Sequence, residues 1–293
     1  MNKENKKPKN RLLSFKNLLK RSLFLLLIIY MLFLFVGCFM ADKIIFQPRR
    51  ASYSNLPEEI EIKVAEDVFI TAVYLNNPGS EFTILYSHGN AEDLGNCLYT
   101  LQELHAKGFS VFAYDYEGYG KSNGSPTEDH CYRDIESAYI YLTEKLKVPA
   151  DKIILYGRSV GSGPSCWLAE KKPVAGLILE SPFVSAFRVL TVIPLVPFDK
   201  FNNISRISHI NCPLLIFHGN RDIVVPFWHG KKLFEEAIEP KFFCPVKKAG
   251  HNNVEAVAGK KYWQAISDFE NYLKQPKSKV NAASTDKSSE TGT

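Results

Sequence analysis

No two of the six cysteines stand at CxxC spacing, and none is set with a histidine at metal-ligand spacing. That absence argues against a zinc site. Cys97, Cys131, Cys166, Cys212 and Cys244 fall mostly inside apolar segments, where a buried free thiol is the default expectation and a disulfide the alternative in an oxidising compartment. A concentrated basic surface is also missing. The formal charge of +5 arises in the first 21 residues, which carry about +7 and leave the remainder near −2. Nothing in that balance suggests a nucleic-acid partner. Charge of either sign is absent from Ser22 to Ala41.

That charge-free run spans the hydrocarbon core of a bilayer if it is helical, at about 1.5 Å per residue. A Lys/Arg block precedes it and sparse charge follows it. The positive-inside rule then keeps residues 1–21 cytoplasmic, uses 22–41 as an uncleaved signal anchor, and places the rest of the chain on the far side. The alternative is a lipoprotein signal, because Phe35-Val36-Gly37-Cys38 approximates a lipobox and would anchor the chain through Cys38. In both readings the protein is held at a membrane.

From Lys43 to Pro48 a short strand is expected, and Ile60–Val64 and Val68–Leu75 follow as further opening antiparallel strands. Strand, glycine-bearing loop and helix then alternate. Strands are expected at Phe82–Tyr86, Phe109–Tyr114, Ile153–Tyr156, Val174–Leu179, Leu214–Phe217 and Phe242–Val246. Thr127 is placed to cap a helix whose first turn holds Glu128 and Asp129, and a last helix presents Tyr262, Ile266, Phe269 and Leu273 on one face. The pattern predicts an α/β fold: a mostly parallel eight-stranded sheet with helices on both faces, over residues 43–275. Residues 183–210, apolar and punctuated by Pro194 and Pro197, read either as a small lid or as an ordinary connection. Residues 276–293 are rich in Ser, Thr and Lys and poor in apolar residues, the composition of a disordered tail.

Chemistry concentrates on the loops after the strands, where such sheets carry their sites. The run Ile153 to Tyr156 ends in Gly157-Arg158-Ser159-Val160-Gly161, the form of a nucleophile elbow. Alone the pattern is weak, since a chain of this length shows it by chance roughly one time in ten. A serine nucleophile also needs a base, and the base needs an orienting acid. His105, His130 and His229 fall in helical patterns and are expected at the surface; His209 lies in the possible lid. His88 and His218 each end a strand beside a glycine and are expected to stiffen loops. His251 follows the last strand and comes after Ser159, so it is the expected base. Asp222 is the expected acid, Glu180 the runner-up, and Asp115 a structural residue near the site. The oxyanion donors are expected to be the backbone N–H of Val160 and that of Asn90 or Ala91. Such a site needs neither metal nor cofactor.

Taken together, several motifs resemble those of the alpha/beta-hydrolase-domain serine hydrolases, in the branch of acyl-protein depalmitoylases and their membrane-anchored relatives. They are Ser87-His88-Gly89-Asn90-Ala91 with Asp93-Leu94-Gly95, Tyr114-Asp115-Tyr116 with Gly118-Tyr119-Gly120, the elbow, Ser181-Pro182, His218-Gly219 with Asp222, and Gly250-His251-Asn252. The likeness covers roughly residues 43–274. It implies a serine esterase or thioesterase with Ser159, Asp222 and His251 as its triad, acting on acyl chains of lipids or lipidated proteins. The competing functions are a serine peptidase on the same fold and a non-catalytic binding module. Three features depart from the branch. A hydrophobic anchor replaces a short cysteine-rich N-terminus, Arg158 replaces an uncharged polar residue, and Glu117 replaces a small one.

Overall fold

The computed structural model describes residues 9–191 and 199–275. The chain divides into two units, Met1–Ile45 and Phe46–Thr293. The described residues of the first form one helix, α1 (Lys9–Ile45), of 37 residues. Within it Phe15–Phe35 is long and apolar enough, by length and composition, to cross a membrane, and none of it is buried. The expected strand at Lys43–Pro48 is not formed: α1 continues through Ile45, and Phe46 to Arg49 is irregular. Three consecutive apolar residues are too few to separate strand from helix. No breaker stands before Pro48, so the helix runs on until that proline restricts its predecessor.

In the second unit the described residues form an eight-stranded sheet ordered β1-β2-β4-β3-β5-β6-β7-β8. The strands are β1 (Glu59–Ala65), β2 (Val68–Leu75), β3 (Thr83–Ser87), β4 (Ser110–Tyr114), β5 (Ile153–Arg158), β6 (Gly176–Glu180), β7 (Leu214–Gly219) and β8 (Lys241–Val246). β1 and β2 pair antiparallel, β2 joins β4 antiparallel, and every pair from β4 to β8 is parallel. The buried parallel strands read as near-continuous apolar runs because both faces are covered.

The helices are α2 (Leu94–Ala106), α3 (Glu128–Ile140), α4 (Ser162–Lys171), α5 (Asn203–Arg206), α6 (Trp228–Glu236), α7 (Val254–Ala258) and α8 (Lys260–Leu273). On one face Leu94, Leu101 and Leu104 of α2 and Tyr262, Ile266 and Phe269 of α8 form a single core with Ile84, Ile154, Ile178 and Leu215. Alternate residues of the same strands point the other way, where α3 and α4 pack on each other and on the central strands. Thr127 caps α3 as expected, its hydroxyl accepting from the His130 N–H at 3.1 Å.

Of the possible lid, residues 192–198 lie outside the described residues, as do 1–8 of the basic segment and the tail 276–293. The described flanks are tied to the body of the domain. Phe201 is fully buried, edge-on to Tyr132 and so close to Gly163 that a Cβ there would lie 2.3 Å from its ring. The Phe201 N–H donates to Glu128 Oε1 of α3 at 2.6 Å, and Asp199 joins the two flanks to each other, accepting from Ser185 Oγ at 2.5 Å and from the Phe187 N–H at 2.8 Å.

Candidate active site

β5 ends at Arg158 and α4 begins at Ser162, and between them Ser159 adopts φ 51°. A side-chain-bearing residue in that left-handed region is strained, by about 1–2 kcal/mol. The two flanking glycines make the turn possible. A Cβ on Gly157 would lie 2.5 Å from the carbonyl oxygen of Gly161, and one on Gly161 would lie 2.1 Å from that of Ser87. Both approaches are to backbone, which cannot give way as a flexible side chain would. The turn lifts Ser159 to the carboxyl edge of the sheet with the N-terminus of α4 behind it, a favourable place for developing negative charge.

Asp222 and His251 reach the same edge because the loops after β7 and β8 are fastened together. The Arg221 N–H donates to the Ala249 carbonyl at 2.8 Å, and the Lys248 N–H donates to Asn220 Oδ1 at 2.7 Å. Gly219 admits this approach, since a Cβ there would lie 2.5 Å from the Ala249 oxygen. Gly250 and Asn253 close the histidine loop through a 2.7 Å hydrogen bond to Asn253 Oδ1.

The three side chains then meet in line. His251 Nε2 lies 2.9 Å from Ser159 Oγ, and His251 Nδ1 lies 2.7 Å from Asp222 Oδ2. The carboxylate fixes the proton on Nδ1 and leaves Nε2 free to accept. The other oxygen of Asp222 accepts from the N–H groups of Val224 (2.9 Å) and Val225 (2.8 Å). Burial alone would raise the pKa of this carboxyl, but the His251 hydrogen bond and charge, aided by the Val225 N–H, hold it below the usual value. His218, fully buried, stiffens the acid loop by donating from Nε2 to the Val225 carbonyl at 2.8 Å; burial pushes its pKa down.

Glu180, the alternative acid, is taken up elsewhere. Its Oε2 accepts from Tyr156 OH at 2.8 Å and Tyr262 OH at 2.7 Å, and its Oε1 faces Arg158 Nε at 3.3 Å. Asp115 accepts from the Leu94 N–H at 2.8 Å and from Tyr53 OH, 3.5 Å from His88 Nε2. His88 donates from Nδ1 to the Gly89 carbonyl at 2.7 Å. Both therefore shape the loop after β3. At the corner of that loop Ala91 has φ 57° and its N–H meets Asn90 Oδ1 at 3.0 Å. Val160 follows Ser159 directly and is buried.

His229 is not at the surface: it is fully buried at the start of α6, its Nδ1 accepting from the Val184 N–H at 3.2 Å, and burial pushes its pKa down to about 4. Helical spacing showed that α6 has an inner face without showing which residues lie on it. Glu117 is likewise buried, paired with Arg133 and with His130 at 3.1 Å, so it ties the Asp115 loop to α3. The contacts of Arg158 were not legible in the sequence, since its partners come from the loops after β3 and β8 and from the end of β6.

Residues 80–198 match the family model described as serine aminopeptidase, S33. The human alpha/beta hydrolase domain-containing protein 17B is 40% identical over 196 residues, covering 66% of this chain and 67% of that protein. The chain belongs to the alpha/beta hydrolase domain-containing family. Another member, aho-3 of Caenorhabditis elegans, is 40% identical over 201 residues, and the match spans 58% of its length. Among solved structures, an esterase of Pyrococcus furiosus superposes with a TM-score of 0.68 at 17% identity, covering 79% of this chain and 98% of its own. A monoacylglycerol lipase of Paleococcus ferrophilus does so with a TM-score of 0.55 at 20% identity, over 71% of this chain and 99% of its own. At such identities these two matches establish the alpha/beta-hydrolase fold.

Proposed function

We propose that this family member hydrolyses carboxylic esters or thioesters through an acyl-enzyme on Ser159. The observation that carries the reading is the aligned Ser159–His251–Asp222 contact, at 2.9 and 2.7 Å, on a strained elbow. His251 Nε2 takes the proton as Oγ attacks the carbonyl carbon. The tetrahedral oxyanion is stabilised by the Val160 N–H and one N–H from the Asn90–Ala91 corner. The imidazolium returns the proton to the departing alcohol or thiol. Water, deprotonated by the same base, then releases the acid. Asp222 holds the tautomer throughout and stays ionised.

A fluorophosphonate probe tests the nucleophile. The full chain in detergent is expected to label at Ser159 and to lose all labelling in Ser159→Ala. Folded wild-type protein that does not label would overturn the proposal. A peptidase is the second reading, favoured by the aminopeptidase description of the matching family model. Esters and thioesters of graded chain length, assayed beside aminoacyl amides, separate the two.

The site is further proposed to work at a membrane, on acyl chains of lipids or lipidated proteins. In this arrangement α1 is a single-pass anchor with a cytoplasmic N-terminus, and the hydrolase domain from about residue 43 onward is non-cytoplasmic. Support comes from the charge-free run and the basic block before it. The mass of the purified mature chain discriminates this from a lipoprotein beginning at Cys38. Protease digestion of sealed vesicles reads the side on which the domain lies.

A further inference from the structure

Arg158, between the glycine and the serine of the elbow, directs its guanidinium to side chains of three other segments, two loops and the end of the neighbouring strand β6. Nη1 donates to Glu92, in the loop after β3. Nε faces Glu180, at the end of β6, at 3.3 Å. Nη2 donates to Asn252 Oδ1, in the loop after β8, at 2.9 Å. Two of these contacts bear on the chemistry at one remove. Glu92 also accepts the Gly89 N–H at 2.9 Å, which anchors the turn leading into the Asn90–Ala91 corner. Asn252 is the residue directly after His251.

The side chain of Arg158 is only 13% exposed. Burial alone would weaken its charge, but Glu92 foremost and Glu180 with it keep the guanidinium protonated and push its pKa above the ordinary value. A planar fork spreads five donors over three nitrogens and serves three separated acceptors at once, whereas the three donors of an ammonium radiate from a single nitrogen and a neutral amide has only two. Glu180 is held in turn by Tyr156 and Tyr262, so the cation rests on a rigid part of the core.

We propose that Arg158 is a positioning residue: it clamps the histidine loop through Asn252 and the oxyanion loop through Glu92, setting both in register with Ser159. The proposal rests on the serine hydrolase reading above. It explains why the residue beside the nucleophile is charged although it touches no reacting atom. A loop displaced by about 1 Å costs on the order of 10²-fold in rate, even when the displaced group is not the one mutated.

The test uses the full chain in detergent, with fluorophosphonate labelling rates and ester turnover measured per folded molecule. Arg158→Gln is expected to lower kcat by about 10–100-fold with KM nearly unchanged. Arg158→Lys keeps the charge but loses the fork, and is expected to stay slow by more than about five-fold. Asn252→Ala should fall in the same direction by about 3–10-fold, yet add less than about two-fold when built into Arg158→Gln, because the contact is already gone. The Arg158 side chain borders a cavity of about 240 Å³, so shortening it enlarges existing space instead of opening a sealed void. Should Arg158→Gln still fail to fold, Asn252→Ala with Arg158→Lys decides.

Wild-type rates in the single variants, full restoration by lysine, or multiplying penalties in the double variant would overturn the proposal. Wild-type protein that does not label at all would instead remove the hydrolase reading on which it rests.

Discussion

Replacing Asp222 by asparagine isolates the tautomer argument with little change in shape. One carboxylate oxygen accepts from the N–H groups of Val224 and Val225 at 2.9 and 2.8 Å, and the other faces His251 Nδ1 at 2.7 Å. In Asp222→Asn the two backbone donors demand the amide oxygen on their side, which turns the NH2 towards Nδ1. Nδ1 must then accept, so its proton moves to Nε2. Nε2, 2.9 Å from Ser159 Oγ, can no longer take the serine proton. This exchange in a Ser-His-Asp triad costs roughly 10⁴-fold in kcat, about 5.5 kcal/mol of transition-state stabilisation. The fold should be little affected, since both backbone donors keep their partner. Turnover of a p-nitrophenyl ester, normalised by active-site titration and paired with a thermal melt, measures the effect. Glu180→Gln serves as the comparison and should cost no more than about ten-fold, because Glu180 acts on Arg158 and two tyrosines, away from His251. Asp222→Asn retaining activity within ten-fold of wild type would refute the reasoning. So would an equal or larger loss in Glu180→Gln alone.

Two further outcomes follow from close approach and from burial. Gly161→Ala sets a Cβ 2.1 Å from the Ser87 carbonyl oxygen. It should cost at least about 1–3 kcal/mol in urea unfolding together with a large loss of probe labelling; an unaltered labelling rate would show that the turn has room to relax. Burial, opposed chiefly by His88, pushes the pKa of Asp115 up to about 6 from an ordinary carboxylate value. Between about pH 4 and pH 6 the folded state therefore binds more protons than the unfolded one, so this contribution is complete below pH 4 and is lost as pH rises through 6. The stability of wild type relative to Asp115→Asn should fall by up to about 3 kcal/mol from pH 4 to pH 7, and a difference independent of pH would contradict the assignment.

Most of the strand–helix alternation was legible because it is local. Buried parallel strands show as short apolar runs, and α3 declares its start with Thr127. The order of Ser159, Asp222 and His251 along the chain also pointed to their meeting, since an alpha/beta-hydrolase sheet delivers those loops to one edge. Where the reading strayed, local pattern was ambiguous. Lys43–Pro48 suits a strand or the end of a helix equally, and the periodicity of α6 does not say whether His229 faces inward.

By itself the sequence determined most of the elements, the candidate nucleophile and its candidate histidine, because those depend on spacing over a few residues and on the direction of the chain. Asp222 was already favoured over Glu180 in the sequence; only tertiary structure shows what occupies the glutamate, two tyrosines, one of them 82 residues away. It also decided what Arg158 contacts. The three acceptors of that guanidinium lie 66, 22 and 94 residues along the chain, and no local pattern records which loops a sheet will bring to one side chain. A charge that is out of place in the motif is therefore in place in the fold, where two carboxylates and an amide converge on it.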